Sequence, residues 1–252
     1  MDSDKITSGG IEKQESFGGI GTLSEKALHA ALKDYFQPDK DKQEIKVGRY
    51  IADIATQEGI IEIQTRSFDK LRAKLKAFLE VSGVTVVYPI AGVKYICWID
   101  TQTGEVTKKR KSPKKGSYYD SFAEIYKIKQ MLLEPRLRLC LVIVDLTEYR
   151  FLNGWSEDKK KGSTRCERIP DNISESLYIN SPGDYRLLIP GELPEEFTVK
   201  QFAALAHITR RKAGVGLNIL NYVGAVTHIG KKGREYLYRR SDLINPGKKG
   251  VD

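Results

Sequence analysis

Three short β-like runs crowded between two amphipathic helical segments dominate the N-terminal half of the sequence. Gln43 to Val47, Arg49 to Ile54 and Gly59 to Thr65 read as strands, and Gly48 suits a tight hairpin turn between the first two. Ahead of them Ser24 can cap a helix whose apolar residues Ala27, Leu28, Ala31, Leu32 and Phe36 recur at helical spacing. Pro38 and the charged run behind it end that helix. After the third strand, Phe68, Leu71, Leu75, Phe78 and Leu79 trace one face of a second helix, leaving Lys70, Arg72, Lys74 and Lys76 for its outer surface. Gly83 stops it, and two β-branched runs, Val84 to Ile90 and Val93 to Ile99, are apolar enough to be largely buried strands. The order helix, three strands, helix, two strands predicts an α/β fold.

A chain of 252 residues that is 40% hydrophobic has room for two folded units. Its formal net charge of +9 and isoelectric point near 9.3 favour polyanionic partners, by attraction and by release of their counterions. Cys97, Cys140 and Cys166 lie too far apart for a metal-ligand or disulfide pattern, which fits a reducing compartment. The opening MDSDKITSGG lacks the order of a signal peptide, and no apolar run approaches the roughly 20 residues that span a bilayer. The expectation is a cytoplasmic protein with no membrane partner.

Composition divides the chain further. Residues 1–22, rich in Gly, Ser and charge, read as a flexible tail, and residues 23–107 hold the α/β core. The run KKRKSPKKG from Lys108 to Gly116 has no apolar face and marks a module edge as a solvated loop or strand end. Residues 108–180 form an extension of the first sheet or a platform. There Phe122 to Leu133 looks helical, Leu137 to Phe151 is a long strand and Arg165 to Ile169 a shorter one, with a basic turn from Asp158 to Gly162 between them. A further unit occupies 181–243, ahead of a basic tail at 244–252.

The chemistry-bearing residues sit in the core. Asp53 lies on the second strand, while Glu62 and Gln64, two apart on the third, share a face. A hairpin can bring Asp53 beside them. Two carboxylates held close in an α/β core repel unless a proton or cation intervenes, and Mg²⁺ or Mn²⁺, with their preference for oxygen ligands, answer that need. The run YIADI followed by IIEIQT, after a helix bearing Glu25, resembles the PD-(D/E)XK nuclease superfamily over roughly residues 24 to 100. The resemblance implies a restriction-endonuclease-like mixed sheet flanked by helices, with Asp53 and Glu62 as metal ligands and Glu25 assisting. Gln64 departs from it, because a lysine usually closes the tripeptide and a neutral amide supplies no charge. Gln64 is then expected to position a water, with Lys46 or Arg66 contacting phosphate; Arg66 shares the face of Gln64 if the strand continues. His29, without an evident relay partner, reads as packing or polar surface.

The second signal runs from Phe197 to Arg240. Thr198 can cap a short helix containing Phe202 and Leu205, His207 and Ile208 make a turn, and Thr209 caps a helix with Ala213, Leu217, Leu220 and Val223 inside. Ala225 to Ile229 and Arg234 to Tyr238 then form a hairpin around GKKG, with Pro182 to Ile189 as a preceding helix. This order resembles a winged helix-turn-helix. The resemblance places Thr209, Arg210, Arg211 and Lys212 at the start of the recognition helix, the part that meets base edges, and Lys231 and Lys232 at a wing tip on phosphates.

The function expected is a metal-dependent DNA endonuclease, targeted to duplex DNA by the winged helix; a palindromic target would call for a homodimer. The alternative is a catalytically inactive nuclease-fold DNA-binding or assembly protein, which Gln64 keeps in view. RNA is a third substrate class, raised only by Tyr118, Tyr119 and Tyr126 near the basic loop.

Overall fold

The computed structural model describes residues 26–154 and 164–241. Helix α1 (Lys26–Phe36) leads into the strands β1 (Gln43–Val47), β2 (Tyr50–Thr56) and β3 (Gly59–Ile63), an antiparallel meander whose first turn is made by Gly48 at φ +59°. Only glycine takes that backbone conformation without steric cost. Helix α2 (Arg72–Val81), entered through a 3₁₀ turn at Phe68–Leu71, carries the chain over to β4 (Val84–Ile99), which pairs with β3 in parallel. β5 (Arg110–Lys111) pairs with the outer half of β4. A second crossover through α3 (Phe122–Lys127) leads to β6 (Leu137–Phe151), parallel to β4, and β7 (Thr164–Ile179) closes the sheet antiparallel to β6. The result is a seven-stranded mixed sheet in the order β1-β2-β3-β4-β6-β7, with β5 on β4. Residues 108–180 therefore extend the first sheet.

The two faces of the sheet carry different cores. α1 buries Leu28 and Leu32 against Ile54, Ile63, Val87 and Val142 on one side. α2 and α3 bury Leu75, Phe78, Phe122 and Ile125 against Ile60, Val84, Val86 and Leu139 on the other. Alternation along β3 and β4 supplies both sets, as a strand covered on both faces requires.

Three expected elements of the sheet and its crossovers differ. The two strands foreseen at 84–99 are one, bent where its register on β6 shifts between Ala91 and Lys94. The short strand foreseen at Arg165–Ile169 runs on to Ile179; Pro170, Asp171 and Asn172 break its β-like pattern, and register shifts against β6 absorb them. The helix foreseen at 122–133 is α3 followed by a 3₁₀ turn at Lys129–Met131, with Ile128 and Leu132 both kept in the core.

The C-terminal unit contains β8 (Glu196–Thr198), α4 (Val199–Leu205), α5 (Arg210–Tyr222), β9 (Val226–Lys232) and β10 (Glu235–Arg240), its strands ordered β8-β10-β9. Thr198 and Gln201 form a reciprocal capping box at α4, and Thr209 caps α5. Pro182–Leu188, foreseen as a helix, is 3₁₀. This unit does not hang free: Phe197, Phe202, Leu217 and Leu220 belong to the same buried cluster as Phe122 and Ile125. Gly216 on α5 sits so close to Phe122 that a Cβ there would come within 2.3 Å of the ring. Among the described residues no helix is long and apolar enough to cross a membrane.

Candidate active site

The β2–β3 ladder runs from Thr56 opposite Gly59 to Ile54 opposite Ile61 and ends there. At the next position, where Asp53 and Glu62 would pair, side chains take over from the backbone. Glu62 Oε1 accepts a hydrogen bond from the Asp53 amide at 3.1 Å, and Asp53 Oδ2 accepts one from the Ile63 amide at 2.7 Å. The strands thus fork, and each carboxylate plugs the fork by binding the other strand's backbone. On its far side the β3 line continues one residue further, with the Gln64 amide donating to Val87 O at 2.8 Å.

Helices on opposite faces each deliver one basic side chain to the fork. From α2, Lys74 Nζ lies 2.6 Å from Glu62 Oε2. From α1, His29 Nε2 lies 3.1 Å from Asp53 Oδ2. The imidazole nitrogen is buried, and the Asp53 carboxylate is the group it approaches. One turn along α1, Lys33 pairs with Glu44 of β1 at 2.6 Å and ties that helix to the meander.

Burial and pairing push the two acids apart. Glu62 is 3% exposed, and burial, together with the charge of Asp53, raises its pKa to about 7 despite Lys74. Burial also opposes ionisation of Asp53, but His29, the Ile63 amide and Lys74 outweigh it and hold that carboxyl below its usual range. Near neutral pH the pair therefore carries one fixed negative charge and a second that a proton or a cation can claim.

The remaining foreseen residues are placed as follows. Glu25 lies outside the described residues. Gln64 Nε2 donates to Ser67 O at 2.7 Å, so its amide braces the turn after β3. Because β3 ends at Ile63, the condition that would put Arg66 on the face of Gln64 fails, and Arg66 is exposed in that turn. Lys46 is exposed on the edge strand opposite Ile51, two residues along β2 from Asp53. His29 and Lys74 are the residues the sequence reading set aside. Lys74, assigned to the solvent face, is three residues after Leu71 and four before Phe78, so it borders the buried face, and that spacing was the available signal. His29 shares α1 with Leu28 and Leu32, but nothing in the sequence places Asp53 next to it.

In the C-terminal unit, Arg210 and Arg211 are exposed at the start of α5, with Arg210 3.4 Å from Glu235 of the hairpin. Thr209 is used as the cap, its hydroxyl accepting from the Lys212 amide at 3.3 Å. Lys212 is turned inward and paired with Asp120, which precedes α3. Lys231 and Lys232 are exposed at the end of β9, with Lys231 5.2 Å above the Tyr236 ring. At 100° per residue, Arg210, Arg211, Gly214, Asn218 and Asn221 fall on one arc of α5, next to the arc of buried Ala213, Gly216, Leu217 and Leu220. Tyr119 packs among Phe122 and Phe202 rather than offering a stacking face.

Among the described residues, no three His, Cys, Asp or Glu side chains gather as a ready metal site. The side chains of the fork that could hold a hard cation are the carboxylates of Asp53 and Glu62, Mg²⁺ being commonly held by one or two carboxylates.

Residues 26–180 match the family described as "Domain of unknown function (DUF8091)". The chain belongs to this family. The DUF8091 region takes in the whole seven-stranded sheet and both carboxylates, and stops short of the β8-to-β10 unit. A relative from Treponema pallidum (strain Nichols), named "Uncharacterized protein", is 32% identical over 228 residues, covering 88% of this chain and 87% of its own. That span exceeds the DUF8091 region, so the similarity continues into other parts of the chain. No solved structure matches.

Proposed function

We propose that this DUF8091 protein is a metal-dependent DNA endonuclease in which Asp53 and Glu62 hold the ion and Lys74 supplies the positive charge that Gln64 cannot. The observation that carries the reading is the fork. Two carboxylates from adjacent strands face one site, one of them with a pKa near 7, and a lysine reaches it from the following helix. The order of elements from α1 to β4 is the one the PD-(D/E)XK resemblance implies. Mg²⁺ or Mn²⁺ bound there would polarise a phosphodiester and lower the pKa of a water.

The chain's own groups then have separate duties. His29 helps keep Asp53 ionised, Lys74 would neutralise a phosphate oxygen as it gains charge, and Gln64 braces the turn after β3. The C-terminal unit reads as a winged helix-turn-helix, because α4 and α5 are joined by a short turn and followed by a hairpin. Arg210 and Arg211 would face base edges, since arginine suits guanine, while Lys231 and Lys232 would meet phosphates.

The test is cleavage of supercoiled and linear DNA with Mg²⁺ or Mn²⁺ by the full chain and by Asp53→Asn, Glu62→Gln and Lys74→Met. Each variant is expected to lose at least about 100-fold in rate, the scale of a lost electrostatic contact in the transition state, while keeping its circular dichroism. One observation favours a second reading, an inert DNA-binding scaffold: both acids are already satisfied by backbone amides and Lys74. DNA binding that Arg210→Ala and Arg211→Ala weaken, without cutting under any metal, would establish that reading instead.

A further inference from the structure

The basic run at 108–116 is exposed over most of its length, as expected, but is pinned to β4 at Ser112 and Gly116. Its Ser112 amide donates to Lys94 O at 2.7 Å, and its Gly116 amide donates to Ala91 O and Gly92 O, each at 3.1 Å. A Cβ on Gly116 would stand 2.1 Å from Ala91 O, so only glycine lets the loop lie this close to β4. The pinned loop roofs a cavity of about 280 Å³ lined by Tyr88, Lys94, Lys114, Asp120 and Arg168 together with the Ile90–Ala91 backbone and Gly116. At about 30 Å³ per water, that is room for a multi-atom anion rather than a single solvent molecule.

Three cations, Lys94, Lys114 and Arg168, line the cavity with one acid, Asp120. Asp120 is the lining carboxylate, and it is already engaged by Lys212 and by the Ser117 amide at 3.2 Å, with Lys114 at 3.5 Å. Lys94, 24% exposed, reaches Glu148 only at 3.8 Å. Glu148 meanwhile takes Arg150 at 2.5 Å and Arg165 at 3.5 Å, so one buried acid serves three cations. Burial depresses the pKa of Lys94, with Glu148 opposing the shift and Arg150, Arg165 and Arg168 adding to it. Tyr88, whose burial raises its pKa to about 12, stays a protonated hydroxyl in the wall. A tetrahedral oxyanion fits such a set, because it accepts from several directions and gains from charge-assisted donors.

We infer that the cavity between β4 and the 112–117 loop is a binding site for a phosphate group, separate from the Asp53–Glu62 fork. The phosphate belongs either to a nucleic-acid backbone or to a free small anion, and two measurements on the full chain distinguish these sources. Calorimetric titration with inorganic phosphate is expected to show binding that Lys94→Gln and Lys114→Ala each weaken about tenfold, the scale of one charged hydrogen bond. Lys200→Ala, on an exposed part of α4, leaves it unchanged. Lys114 is 72% exposed, so its truncation tests the site without endangering the fold. In parallel, the salt dependence of affinity for a 20-base-pair duplex is measured. A cavity that takes a backbone phosphate loses about 0.9 from the log–log slope in each variant. A cavity reserved for free phosphate leaves that slope intact while phosphate affinity falls. Wild type and both variants behaving alike in the two measurements would overturn the site. Neither measurement involves cleavage, so an inert carboxylate fork leaves the result standing.

Discussion

Glu62 and Asp53 answer burial in opposite ways, and the difference is measurable as stability. A carboxyl held near 7 in the native state and near 4.5 in the unfolded chain binds more protons when folded between those values. Its contribution is therefore present below about 4.5 and lost as pH rises to about 7, a change on the order of 3 kcal/mol. Asp53, depressed, contributes above its unfolded value and loses that contribution as pH falls through its folded one. Denaturant titration between pH 5 and 8 should show the native state weakening with pH, and Glu62→Gln should flatten that trend. Lys74→Met removes two of the influences that lower the Glu62 pKa, so carboxyl NMR should find it titrating higher still. An unchanged value would mean that Lys74 is no partner of Glu62 in solution.

The elements explain why these residues meet. β2 and β3 pair for three positions and then fork, and the fork exists because two acidic side chains replace the ladder bonds there. A second close fit joins the sheet to the C-terminal unit, where α5 crosses α3 with Gly216 against Phe122. Gly216→Ala must displace a fully buried ring and is expected to cost about 1–3 kcal/mol, more than the gain in helix propensity returns. At about 2–4 °C per kcal/mol for a chain of this size, the unfolding midpoint should drop by several degrees. A rise instead would show that Phe122 has room to move. The positions of α1, α2, β1, β3 and α5 were legible because caps, helical periodicity and glycine turns are local signals. β7 was legible only in part: its pattern breaks at Pro170 to Asn172, and its pairing with β6 is what makes it a strand.

At the scale of the molecule, the sheet and the C-terminal unit share one core. Phe122 and Ile125 bury against Phe202, Leu217 and Leu220, so neither part covers its own apolar surface. Calorimetry of the full chain should therefore give a single cooperative transition, and a truncation after Ser181 should expose Phe122 and Ile125 and self-associate on gel filtration. Two separate transitions would show that the units fold independently. The shared core also fixes the exposed arc of α5 relative to the sheet, and the Lys212–Asp120 pair joins that helix to a residue lining the cavity beside β4.

The sequence by itself determined the order of elements from α1 to α2, the nearness of Asp53 to Glu62, the basic character of the chain and the succession of a helix, a turn, a helix and a hairpin near its end. Each of these follows from spacing within a few turns or strands. Only the tertiary structure decided that Lys74 and His29 join the acids, that Gln64 is a brace and that the run at 108–116 roofs a cavity. Those facts depend on helices packing from opposite faces and on a loop pinned through Gly116, contacts between residues far apart in the chain that no local pattern encodes.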